Sequence, residues 1–105
     1  MDNSAPGNDA WSAELVREEL RRAYPLAQAS GTWERVRALT DVLDPEGRRL
    51  LATWASLTTS GGSIRELCRA RGTDQRTFYR RLHATLQAAA DALNAAGVPS
   101  SDARR

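Results

Sequence analysis

Phe78, Leu82, Leu86, Ala89 and Leu93 recur at steps of four, four, three and four. That spacing returns to one side of a helix with 3.6 residues per turn, and to no single face of a strand, where side chains alternate. The C-terminal half is thereby committed to one long helix, opened by Asp74 as N-cap and closed by Gly97 and Pro99. A helix with one apolar side cannot cover that side alone, so the remaining residues must supply helices or strands that pack against it.

The same periodicity governs the rest of the chain, and no alternating strand pattern competes with it. A first helix is predicted from Ser12 to Tyr24, with Ser12 as N-cap, Glu14 in the first turn, and Trp11 and Val16 spaced for a hydrophobic staple. Leu15, Leu20, Ala23 and Tyr24 continue its apolar side, and Pro25 is expected to end it. Leu26 to Gly31 then reads as a linker. Thr32 is expected to cap a second helix through Leu43, with Trp33, Val36, Leu39 and Leu43 on its apolar face. Asp44-Pro45 reads as an N-cap followed by proline at the first helical position, where the missing N–H costs least. The third helix, about Pro45 to Thr58, should bury Leu50, Leu51, Trp54 and Leu57 before Ser60-Gly61-Gly62 breaks it. Ser63-Ile-Arg-Glu66 has a capping-box pattern and opens a short fourth helix that ends near Arg71-Gly72. The fold class is therefore all-α, with about five helices and a C-terminal helix-turn-helix built on a long last helix. Residues 1–10 and 98–105 are expected to be flexible tails around a single helical domain, 11–97. Within it, 11–43 supply accessory helices and 44–97 the helix-turn-helix module.

A chain of 105 residues has room for one small core, and 41% hydrophobic with 27% charged residues is near the average for folded domains. No stretch approaches the roughly 18 apolar residues of a membrane span. The polar start Met1-Asp2-Asn3-Ser4 lacks the basic and apolar pattern of an export signal, and Cys68 is the lone cysteine. These features together suggest the cytoplasm. One Cys and one His are too few for a metal site, and no glycine loop is followed by the lysine of a phosphate cradle, so no cofactor is expected. Cys68 and His83 are not expected to pair as nucleophile and base, because the helical register buries the first and exposes the second. Trp11, Trp33 and Trp54 read as core rather than as a binding platform.

The net charge of +2 conceals a division. Residues 1–60 carry seven Arg against nine Asp and Glu, and residues 61–105 carry eight Arg against four acids. Contact with a polyanion, if the chain makes one, belongs to the second half. All fifteen basic residues are Arg, which suits phosphate and base-edge recognition but is equally the mark of a GC-rich genome, since the acidic half uses Arg too.

The second half also meets the steric demands of a helix-turn-helix. Two helices crossing closely need a small residue on the first, and Cys68 stands there after Leu67. The reversal needs a residue tolerant of left-handed φ, supplied by Gly72, and the second helix needs an apolar anchor six residues on, supplied by Phe78. Leu43-Asp-Pro-Glu-Gly-Arg-Arg-Leu-Leu, Gly62-Ser-Ile-Arg-Glu-Leu-Cys and Thr77-Phe-Tyr-Arg-Arg-Leu-His-Ala-Thr-Leu resemble the promoter-reading helix-turn-helix of sigma factors and related regulators. With the opening Trp11-Ser-Ala-Glu-Leu-Val-Arg-Glu-Glu-Leu, the chain is also similar to small phage- and prophage-associated helix-turn-helix proteins of alphaproteobacteria. Two positions depart from the pattern: Arg71, where an apolar residue usually precedes the glycine, and Thr73, where an aliphatic one usually follows.

With Phe78 and Leu82 facing inward, Gln75, Arg76, Tyr79, Arg80 and His83 project from the other side of the last helix. These groups, with Thr77, can pair with base edges or phosphates. Arg65 and Arg69 are i, i+4 neighbours placed for the phosphate backbone, and the amides around Ser63 can receive a phosphate at the helix start. Between Gly61 and Ala90 six Arg face only Glu66 and Asp74, which suggests as many as six phosphate contacts. The expected partner is double-stranded DNA, and the expected role a bacterial or phage-type transcription regulator rather than an enzyme. Two other roles stay open: a DNA-packaging recognition subunit similar to small terminases, and a protein-interaction module that keeps the fold without DNA contact. The acidic front half is equally open, as an internal brace, a homodimer surface, or a docking face for RNA polymerase or another protein.

Overall fold

The computed structural model describes residues 10–100, in five helices with no strand among the described residues. They are α1 (Ala13–Ser30), α2 (Glu34–Thr40), α3 (Pro45–Ser60), α4 (Ile64–Arg71) and α5 (Gln75–Ala95). The proposed terminal tails at 1–9 and 101–105 lie outside the described residues.

The long apolar helix is the hub. Phe78, Leu82, Leu86, Ala89 and Leu93 are all buried, joined by Ala90, and α5 touches each of the other four helices. The most extensive partner of α5 is α1, whose Val16 and Leu20 are fully enclosed, followed by α3 with Leu51, Trp54 and Ala55. Leu50 and Leu57, expected inside, are half-buried at the edge of this core. The front helices are thus not accessory: they supply a large part of the core that α5 needs.

The staple at the start of α1 is tied to the far end of the chain. Trp11 and Val16 are both buried, and Ser12 Oγ accepts a hydrogen bond from Leu15 N–H (3.2 Å). The Trp11 backbone N–H donates to Asn94 Oδ1 at 2.7 Å, and Asn94 Nδ2 donates back to the Trp11 carbonyl at 3.0 Å. Trp11 Nε1 donates to the Val98 carbonyl at 3.0 Å, and Ser100 is buried. Packed structure therefore continues through residues 98–100, where the spacing predicted the beginning of a tail.

Two boundaries differ from the sequence expectation. Helix α1 does not stop at Pro25 but runs through it to Ser30 and ends on Gly31, whose N–H donates to the Ala27 carbonyl at 2.8 Å. An interior proline costs about 3 kcal/mol through its missing N–H and ring clash. The buried side of α1 nonetheless continues past it with Ala27 in the core, while just before it Ala23 is buried and Tyr24 packs edge-on against Trp33, with centroids 5.1 Å apart. Pro25 and Leu26 point to solvent. The linker predicted for Leu26–Gly31 is accordingly the last part of a helix.

Helix α2 is shorter than Thr32–Leu43. Thr32 gives its N–H to Ser30 Oγ, and Trp33, one residue on, occupies the N-cap without a side-chain cap bond. The helix ends at Thr40, where Leu43 N–H turns back to the Thr40 carbonyl, and Asp44 then caps α3 by accepting from Gly47 N–H at 2.7 Å. A buried carboxylate links α1 to α2: Glu19, 8% exposed, accepts from Arg35 Nε at 3.2 Å and lies 3.6 Å from Arg22 Nη1. Of the Glu18-Glu19 pair, only Glu18 is presented to solvent.

Candidate nucleic-acid interface

The helix-turn-helix is assembled from its caps. At the end of α3, Gly61 and Gly62 return hydrogen bonds to the Thr58 and Leu57 carbonyls. Ser63 Oγ then caps α4 by accepting from Glu66 N–H at 3.2 Å. At the other end of α4, Gly72 adopts φ 67°, ψ 29°, while Gly72 N–H reaches the Arg69 carbonyl and Thr73 N–H the Cys68 carbonyl at 2.9 Å. This pair of bonds is the Schellman arrangement, which satisfies the last carbonyls and reverses the chain in three residues. A side chain with a Cβ is strained at that φ, which is why glycine stands here.

Cys68 is 3% exposed, as a small residue under a crossing helix should be, and Phe78 is 6% exposed. Helix α4 packs chiefly on α5, with half-buried Ile64 and Leu67 flanking Cys68. Asp74 stands at the N-cap of α5 without a side-chain cap bond, so the amides of the first turn of α5 are left uncapped by their own sequence. His83 is exposed and Cys68 is buried, as the helical register predicts.

Gln75, Arg76, Tyr79, Arg80 and His83 are all exposed along one flank of α5. Tyr79 is 48% exposed, its ring set edge-on to Phe78 at 5.7 Å, so it bridges the rim of the core and the open surface. Arg65 and Arg69 are exposed on α4, one turn apart. Ser63 is half-buried, and its hydroxyl is already engaged as a cap acceptor. The hydroxyl accepts that bond and keeps its own O–H as a donor, which an anion could meet together with the first amides of α4. Thr77 differs from the five in being half-buried; it lies on the side of α5 between Arg80 and Arg81, within one turn of each.

The six arginines between Gly61 and Ala90 do not form one surface. Arg65, Arg69, Arg76 and Arg80 are exposed on the outer sides of α4 and α5, whereas Arg71 and Arg81 line a trough between α3 and α5 together with Arg49. The position of Arg81 on the other flank follows from helical rotation and is available from the sequence. The approach of Arg49 to it is not, since that depends on how α3 crosses α5. Arg71 is exposed and opens into the trough, which explains why the turn accepts a charged residue just before Gly72.

No helix of the described residues is long and apolar enough to cross a membrane. Comparison with known proteins finds no matching family model, no matching curated protein and no matching solved structure.

Proposed function

We propose that this chain is a sequence-specific double-stranded-DNA-binding protein acting as a bacterial or phage-type transcription regulator, without enzymatic activity. One observation carries the reading. The Gly72 reversal sets α4 against α5 while leaving Gln75, Arg76, Tyr79, Arg80 and His83 in solvent, with Arg76, Arg80 and His83 on the side of α5 turned away from Phe78 and Leu82. A helix of about 10–12 Å diameter with such a face fits the major groove, roughly 12 Å wide, where Arg reads guanine and Gln reads adenine. Arg65 and Arg69 on the preceding helix are placed for the phosphates that flank the groove.

The test is a salt titration of single variants on selected and scrambled duplexes, with circular dichroism to verify folding. Arg80→Ala should lower affinity for the selected site and flatten the preference over scrambled DNA, by about 1–3 kcal/mol for one base-reading Arg. Arg65→Ala should weaken both duplexes alike and reduce the salt slope by about one. With Arg71 and Arg81 turned away, the parent slope should correspond to about four phosphate contacts rather than six. Unchanged binding by both variants on both duplexes would remove α5 from DNA contact.

A further inference from the structure

On the flank of α5 away from Arg76 and Arg80, the chain leaves an open trough of about 900 Å³ between α5, the start of α3 and the end of α4. Its apolar lining comes from Val42, Leu43 and Leu50 on one side and Ala84 and Ala88 on the other, interrupted by Thr53 and Thr85. Val42 is 37% exposed, and the two alanines are exposed, so this surface has no covering element among the described residues. The walls carry Arg49, Arg71 and Arg81, one from each of three helices. None of the three forms an ion pair among the described residues, although Glu19 collects two other arginines elsewhere. Of the two acids in the lining, Asp44 is committed to Gly47 N–H, leaving Glu46 near the start of α3.

We infer that this trough is a docking site for an amphipathic helix of a partner protein, one with a leucine-type face bordered by Asp or Glu. Two turns of a helix 10–12 Å across occupy roughly 1,000 Å³, on the scale of the space available. An apolar stripe at i, i+3, i+4 and i+7 would cover Val42, Leu50 and the two alanines, as helices do when they lie in apolar grooves. Carboxylates beside that stripe would meet three arginines that form no ion pair among the described residues, which favours an acidic segment over a basic one. A DNA duplex is a poorer occupant, since it presents phosphates and offers nothing apolar to set against Val42 and Leu50. This surface is independent of the exposed face of α5 and does not depend on DNA binding.

The test uses the full chain, isotopically labelled, and a synthetic helical peptide of about 14 residues with leucines at that spacing flanked by glutamates. Amide shifts on titration should concentrate at Val42, Leu50, Ala84 and Ala88. Arg71→Glu combined with Arg81→Glu should weaken binding at least about tenfold, and a peptide with lysine in place of glutamate should fail to bind. Ala88→Arg, an exposed substitution that fills the trough without touching the core, should also block the peptide. Four results would overturn the inference: no saturable binding, equal binding to the doubly substituted chain, shifts centred on Arg76, Arg80 and His83, or a self-associated chain whose interface already covers these residues.

Discussion

Phe78 holds together the two halves of the candidate interface, because the same side chain anchors α5 in the core and fixes which flank of α5 faces outward. It is 6% exposed and lies beneath Tyr79 and beside the α4 crossing. Truncating a buried phenylalanine costs about 3–5 kcal/mol in lost burial and residual cavity, a large part of the 5–15 kcal/mol that stabilises a typical domain. Phe78→Ala should therefore lower the urea midpoint sharply with little change in slope. A midpoint close to that of the parent would mean that another register orients α5. Arg76, Arg80 and His83 were readable as outward-facing because they sit between the apolar steps of one helix, where 3.6-residue geometry alone decides orientation. Thr77 was not separable from them by residue type, since a threonine suits DNA contact and a half-buried edge equally well. Only its partial burial in the folded chain distinguishes the two. Ser63 shows the same limit: the capping pattern and the anion-site reading use the same residue, and the observed bond to Glu66 N–H engages the hydroxyl as a cap.

Element boundaries follow the local signals wherever the cap is made by the residue next to the helix. Asp44, Ser63 and Gly72 act as the sequence pattern requires. They depart from those signals where a tertiary surface outweighs a local penalty. Pro25 reads as a stop, yet α1 continues through it, with Ala27 buried beyond it and Gly31 as its cap. Since Pro25 itself is exposed, its ring contributes little to packing. Pro25→Ala should raise stability: about 3 kcal/mol of helix penalty is removed, less the 0.4–1 kcal/mol by which proline restrains the unfolded chain. A gain near 2 kcal/mol in urea unfolding is the expected result. A loss would show that the proline bends α1 into its place on α2. Thr32 does not cap: α2 begins one residue later, with Trp33 at the N-cap and no side-chain cap bond.

At the scale of the molecule, the two ends of the described chain are clasped by Asn94, which both accepts from and donates to the Trp11 backbone, while Trp11 Nε1 reaches Val98. Asn94→Leu keeps the approximate side-chain volume and removes both bonds, leaving the Trp11 backbone groups partly buried without their partner. The expected loss is about 1–3 kcal/mol, with faster hydrogen exchange at Trp11 and the first turn of α1 than at Leu82 or Leu86. Uniformly faster exchange would mean that the clasp and the core open as one unit. No local pattern pairs Trp11 with Asn94 across more than eighty residues, because long-range contacts are set by how helices cross, and crossing is a property of whole surfaces. The sequence by itself determined that the chain is helical, that five helices are separated by these caps, and which side of α5 is apolar, since each depends on residues within a turn or two of one another. Only the tertiary structure decided that α1 outlasts its proline, that Glu19 meets Arg35 of α2, and that Arg49 joins Arg71 and Arg81 in one trough. Those outcomes rest on burial against distant helices, a free energy that no window of neighbouring residues contains.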